Sequence, residues 1–232
     1  MNHMLALSSA LLLASLGSTG AGLTASETQR LSEATSVIRE LRASPDKGVP
    51  ENLWKRAECV TVIPNLKKAA FIVGGEFGKG VMSCRKAAIS WSAPIFVELE
   101  KGSAGFQIGA EQVDLVLLIM NREGVDKLLT DKVNLGGDAS VAAGPVGRTA
   151  SASTDAELKA GILAYSRSQG AFAGVDVSGG SLRPDKSANE RAYGAGMATR
   201  DVLFKAGVPV PAAAQAFVRT LAQDGHAATP PK

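Results

Sequence analysis

The residue types able to do covalent or metal chemistry are few and poorly placed for it. The chain of 232 residues holds two histidines, His3 and His226, one near each end. A Ser–His–Asp or Cys–His relay needs an imidazole within hydrogen-bond reach of its nucleophile, so the long central region has no base for one. Zinc draws mainly on cysteine and histidine, and no metal site is expected. Carboxylates number 22, but no spacing singles out an acid–base pair. Cys59 and Cys84 are the two cysteines. In an oxidising compartment an even pair forms a disulfide, closing a loop of roughly 24 residues for about 3 kcal/mol. The alternative is two buried free thiols packing as small hydrophobes. The disulfide is the preferred reading, ahead of a reactive Cys84 thiol activated by Arg85 and Lys86.

Gly74-Gly75-Glu76-Phe77-Gly78-Lys79-Gly80 invites comparison with a phosphate-binding loop. A Walker loop needs four residues between its first glycine and Gly-Lys, followed by Ser or Thr for magnesium. Gly74 stands one residue too close and Gly80 follows the lysine, so a tight turn or bulged connection is expected instead. Leu135 to Arg148 is a second run of small residues. There Pro145 removes an amide that an anion nest would require, and Gly144, Pro145 and Gly147 are expected to shape a turn at a sheet edge without a ligand.

These residues need elements to place them. Ser26-Glu27-Thr28-Gln29 fits a capping box, and Leu31, Ala34, Ile38 and Leu41 follow at helical spacing, which predicts an amphipathic helix over 27–43 ended by Ser44-Pro45. Pro50 opens a short second helix through Trp54 to Ala57. From Cys59 the period changes: 60–63 and 69–73 are short apolar runs parted by Pro64-Asn65 and predict a strand pair. Strands are further expected at 81–85, at 95–100 and 105–109 joined through Lys101-Gly102-Ser103 as a hairpin, and at 113–120, which is apolar enough to be buried on both faces. A helix over 122–130, a hairpin over 161–177, and helices near 187–206 and 211–223 complete the pattern. Glycine at 25 residues and aromatics at 5% agree with a sheet-rich α+β chain: an antiparallel, barrel-like sheet with helices from both ends packed on it.

Hydrophobic residues make up 45% and charged residues 20%, with a net charge of +3; a sizeable core follows, and a nucleic-acid partner does not. Leu5 to Leu16 is an apolar run trailed by small residues from Ser18 to Gly22. It is shorter than the ~20 residues a membrane span requires. It predicts a signal peptide over about 1–22, although residues 1–26 hold no Lys or Arg, and with it a periplasmic or secreted product. No cysteine follows to carry a lipid anchor. One domain over 27–223 and a disordered tail over 224–232 complete the expected organisation.

Phe71-Ile72-Val73-Gly74-Gly75, Trp91-Ser92-Ala93-Pro94, Gly105-Phe106-Gln107-Ile108-Gly109, Asp114-Leu115-Val116-Leu117-Leu118, Gly136 to Val141 with Ala143 to Arg148, and Phe172-Ala173-Gly174-Val175 together resemble the SYLF domain family, in its order, over about Leu31 to Val218. The resemblance implies a phospholipid-binding domain that prefers anionic lipids, phosphoinositides in eukaryotic members, with some fungal relatives binding and bundling actin. For an exported chain it leaves an anionic phospholipid surface as the expected partner and actin as an unexpected one. It implies no cofactor and no catalysis. The runner-up is a structural or protein-interaction module of the envelope without a specific lipid.

In eukaryotic members an amphipathic N-terminal helix helps engage the membrane, and Glu27 to Ala43 takes the matching position. Lys67, Lys68, Lys79, Arg85 and Lys86 are the candidate headgroup contacts, provided strand pairing gathers them. At ~1 kcal/mol each near an anionic surface, five cations give ~5 kcal/mol and a Kd near millimolar, so apolar insertion must add to charge, with the helix as the candidate. On an ordinary solvated surface the same cations would contact only water, and the helix would cover the domain's own core.

Overall fold

The computed structural model describes residues 22–43, 48–70, 73–87, 90–104, 109–130, 132–147, 160–168 and 171–223; the expected leader, the break at Ser44-Pro45 and the C-terminal tail lie outside them. The elements are α1 (Ala25–Ala43), α2 (Glu51–Arg56), β1 (Cys59–Ala70), β2 (Val73–Ala87), β3 (Ser90–Trp91), β4 (Ile95–Ala104), β5 (Gly109–Ile119), α3 (Arg122–Thr130), β6 (Val133–Asn134), β7 (Val141–Ala143), β8 (Ile162–Ser168), β9 (Ala171–Gly174), β10 (Gly180–Pro184), α4 (Lys186–Tyr193), α5 (Thr199–Phe204), a 3₁₀ turn (Ala212–Ala214) and α6 (Gln215–Ala222).

The strands form one sheet in the order β6-β10-β4-β2-β1-β5-β8-β7, with β3 beside β2 and β9 beside β8. Every pairing is antiparallel except β7 with β8. Alternating side chains feed two cores. Ile95, Val97, Leu115 and Leu117 join one, while Phe96, Val116 and Leu118 join the other. Leu182 from β10 and Ile162 from β8 share a cluster although their strands lie toward opposite ends of the sheet. The sheet therefore curls into a half-barrel with that cluster inside. The outer face is covered by α1, α2 and α6 through Leu31, Ile38, Leu53, Trp54, Phe217 and Leu221. The α+β reading with terminal helices on an antiparallel, barrel-like sheet is what the structure shows.

Cys59 and Cys84 face each other across β1 and β2 and are joined in a disulfide. The buried strand at 113–120 and the helix at 122–130 stand as β5 and α3, and β8 with β9 form the expected hairpin. Several local expectations need correction. The first helix is capped by Thr24: its amide donates to Glu27 Oε2 at 2.7 Å and its hydroxyl accepts from the Glu27 amide at 3.3 Å, a capping box displaced from Ser26 and Gln29. Lys101-Gly102-Ser103 makes no hairpin; β4 runs on to Ala104 because the long β2 pairs with it all the way, Val73 opposite Ala104. The helix expected over 187–206 breaks into α4 and α5, where Gly194 and Gly196 take φ of 92° and 83°.

The runs at 60–63 and 69–73 are not a strand pair either. The first and the start of the second belong to one strand, β1, interrupted by a bulge. Ile63 pairs with Leu115 and Leu66 with Val113, so β1 carries one extra residue at Pro64-Asn65. Asn65 takes φ 53° and its amide donates to Asp114 Oδ1 at 2.9 Å. The extra residue shifts the alternation: Ile63 and Leu66 both point inward, and Lys67 points outward where an unbulged strand would turn it in.

The glycine-rich stretch is accordingly a strand and not a turn. Gly78 and Gly80 lie under the bulge, where a Cβ on Gly78 would stand 2.5 Å from Ile63 Cγ2 and one on Gly80 would stand 2.2 Å from the Val62 carbonyl oxygen. Gly144 continues β7 at the sheet edge, its amide donating to Ala164 O at 2.9 Å. A Cβ there would meet the Tyr165 ring at 2.1 Å, and Gly147 adopts φ 78°; in place of the expected edge turn, the described residues extend the strand and then bend at Gly147.

Candidate functional site

The bulge aims Lys67 across the sheet's outer face, and pairing sets it opposite Phe77. Two residues further along β2, Lys79 lies on the same face. Above them pass the first turns of α1, contributing Ser26, Gln29, Arg30 and Glu33. Together with Pro64, Asn65 and Gly78 these residues line a cleft of about 340 Å³. Phe77 is 43% exposed, an unusual place for a phenyl ring on a sheet otherwise covered by helices.

The cations of the cleft are not equivalent. Arg30 is nearly buried; its guanidinium lies 5.3 Å from the Phe96 ring centroid and donates to Asp185 Oδ2 at 3.3 Å. Lys79 Nζ sits 2.6 Å from Glu98 and 3.1 Å from Asp185. The Glu98 contact outweighs the burial that opposes it and, with Asp185, raises the Lys79 pKa. Asp185 is 3% exposed and caps α4 through the Ala188 amide at 3.2 Å. Burial alone would push its carboxyl up, but the Ala188 amide, Lys79 and the Ser187 hydroxyl together hold it below the usual aspartate value. Glu98 and Glu100 in turn receive Arg183 at 3.1 and 2.7 Å. Arg30 and Lys79 are thus neutralised within a network that ties α1, β2, β4 and α4 together. Lys67 is exposed and has no ion-pair partner among the described residues.

The remaining candidates are placed elsewhere. Lys68 stands opposite Glu76 and Glu111 in the sheet register. Arg85 and Lys86 lie toward the other end of β2, roughly 20 Å along the strand from Lys79. The Arg85 guanidinium lies 4.4 Å from the Trp91 ring and donates to the carbonyls of Ala57 and Trp54 at 3.2 and 3.1 Å, a cation closing the C-terminus of α2. Lys86 Nζ reaches the Lys205 carbonyl at 2.8 Å, just past α5. Strand pairing therefore brings Lys67 and Lys79 into one cleft and leaves Arg85 and Lys86 outside it. Arg30 and Phe77 are the cleft residues that sequence alone did not mark; an arginine inside a helical repeat and a phenylalanine among glycines are faint signals, and only the bulge register joins them to Lys67.

The expected insertion element also changes. Leu31, Ala34, Val37, Ile38 and Leu41, the apolar stripe of α1, are all at most 2% exposed. That face covers the domain's own core, and no helix among the described residues is long and apolar enough to cross a membrane.

Comparison with known proteins adds the family. Residues 100–224 match the family model described as "Ysc84: Las17-binding protein actin regulator". Protein YSC84 of Saccharomyces cerevisiae is 35% identical over 179 residues, 76% of this chain and 38% of its own length. The LAS seventeen-binding protein 3 of the same yeast is 35% identical over 170 residues, covering 72% and 37%. The human SH3 domain-containing YSC84-like protein 1 is 31% identical over 189 residues, covering 79% and 55%. The chain thus spans under two-fifths of the yeast relatives and about half of the human one. With more than half its length on the family model and relatives from yeast to mammals aligned over about three-quarters of it, the chain belongs to the Ysc84/SYLF family.

Proposed function

We propose that this protein is a non-enzymatic module of the bacterial envelope that docks on anionic phospholipid through the α1 cleft. The observation that carries the reading is the outward pair formed by Lys67 and Phe77, an exposed ammonium with no ion-pair partner among the described residues, opposite an exposed ring. The cation contributes ~1 kcal/mol of attraction to an anionic surface, and the ring supplies the apolar contact that charge alone lacks. Lys79 and Arg30 serve a different end: they shape the cleft and fix α1 over it. Export is supported by the apolar N-terminal run and by the buried Cys59–Cys84 disulfide, which an oxidising compartment would maintain. Anionic lipid is favoured over actin for such a location.

Co-sedimentation with phosphatidylglycerol and phosphatidylcholine vesicles across a salt series tests the reading. Retention on the anionic vesicles that weakens as salt rises is expected. Equal partition to both, or none to either, would leave the protein-interaction module that the family model's description favours.

A further inference from the structure

Only two large apolar side chains are strongly exposed among the described residues, Phe77 at 43% and Met197 at 42%. Phe77 lines the cleft just described. Met197 lines a separate groove of about 710 Å³, walled by Leu23, Tyr193, Val208, Val210 and Pro211. The two depressions flank the first turns of α1: Ser26 and Gln29 face the cleft, Leu23 and Thr28 the groove. A helix is ~10 Å across, so they open close together.

Their chemistry is complementary. Among the described residues no charged side chain lines the groove. Two side-chain hydroxyls reach its lining, Thr28 and Tyr193; the Tyr193 hydroxyl donates to the Pro94 carbonyl, which leaves the tyrosine ring as its contribution to the wall. The loop carrying Met197 is shaped by Gly194 and Gly196, both at positive φ and both with open space around a would-be Cβ. Those glycines serve the path of the chain and not its packing, and that path presents the methionine outward. A flexible thioether over aliphatic walls suits an irregular hydrocarbon occupant, whereas a charged one would be desolvated without a partner. The volume is that of an ordinary small-ligand site.

We propose that this groove holds an acyl chain of a phospholipid drawn from the surface on which the Lys67 cleft docks, so that charge is met on one side of α1 and hydrocarbon on the other. The source of the chain rests on the proposed lipid-docking function; the groove's preference for hydrocarbon does not. The test uses a fluorescent lysophosphatidylcholine below its micelle concentration, a probe with no net charge, titrated into the full chain and into Met197→Glu, Ala213→Glu and Lys67→Glu. Ala213 lines the groove and is exposed, so a second charge can be set there with the fold monitored by circular dichroism. Saturable binding by the wild type and by Lys67→Glu is expected, with at least tenfold loss in both groove variants. No binding by the wild type, or unchanged binding in both groove variants, would overturn the proposal. Probe binding without retention on anionic vesicles would overturn the docking function and leave the groove's occupant standing; vesicle retention without probe binding would do the opposite.

Discussion

Around the Asp185 carboxylate the Arg30 guanidinium, the Lys79 ammonium, the Ala188 amide and the Ser187 hydroxyl converge, and this arrangement decides what each cation can do. A buried carboxylate with that many donors is a structural anchor. Replacing Asp185 with Asn leaves Arg30 buried without its counter-charge, at a cost of about 3 kcal/mol in stability at neutral pH. The pH dependence has a definite sign. Asp185 and Glu27 are both held below their ordinary values of 3.8 and 4.5; for Glu27, burial pushes upward and is outweighed by Arg191 and the Thr24 amide. Their contribution is therefore complete above the ordinary carboxylate values and is lost as pH falls below them toward the depressed native ones. Urea unfolding followed from pH 7 down to pH 3 is expected to show a steep fall at the acid end for the wild type and a flatter, lower profile for Asp185→Asn. Identical slopes would contradict the assignment. At this scale the sequence showed which cations exist but not which are free. Lys79 and Arg30 look available until Glu98 and Asp185, remote in sequence, come to rest against them, whereas Lys67 has no ion-pair partner among the described residues.

Elements that carry a strong local signal were legible in the sequence. The 3.6-residue repeat of α1, the apolar run of β5 and the β8–β9 hairpin all stand where periodicity put them, to within a few residues. What failed depended on partners. The glycines of β2 have the composition of a turn, yet Gly78 and Gly80 are small because the bulged β1 lays Ile63 and Leu66 over one and the Val62 carbonyl over the other. Gly102 has the same composition signal and no such neighbour; nothing lies within 4 Å of a Cβ built there. The two classes predict different costs. Gly144→Ala, which drives a methyl into the Tyr165 ring, is expected to lose about 2 kcal/mol or more in urea denaturation. Gly102→Ala is expected to change stability by less than about 0.5 kcal/mol. Equal effects would mean that packing does not explain the edge glycine. The bulge was also beyond sequence reading. Pro64-Asn65 looks like a boundary between strands, and only Asp114, meeting the Asn65 amide from β5, makes it a bend within one.

For the molecule as a whole, the curled sheet nearly closes on itself, because β6 and β7, its two edge strands, come from one short segment, Val133–Ala143, that reaches β10 on one side and β8 on the other. This gives the described part of the small-residue run, 135–147, its role: it straps the half-barrel. Across the barrel wall the disulfide fixes β1 to β2 beside the inner core. Reduction is expected to remove about 3 kcal/mol and lower Tm by roughly 6–12 °C, measured by thermal circular dichroism with and without a phosphine reductant; an unchanged Tm would show that the bond is dispensable. The same framework holds Lys67 on β1 far from Lys86 near the end of β2, so docking through the cleft is a matter of location and not of charge alone. Phosphatidylglycerol vesicle affinity of Lys67→Glu against Lys86→Glu, two substitutions of equal charge, tests it most directly. Reversing one contributing cation removes about 2 kcal/mol, or roughly thirtyfold in Kd, and this loss is predicted for Lys67→Glu, with Lys86→Glu within about twofold of the wild type. Equal losses in the two variants, or a larger loss at Lys86, would contradict docking through the α1 cleft.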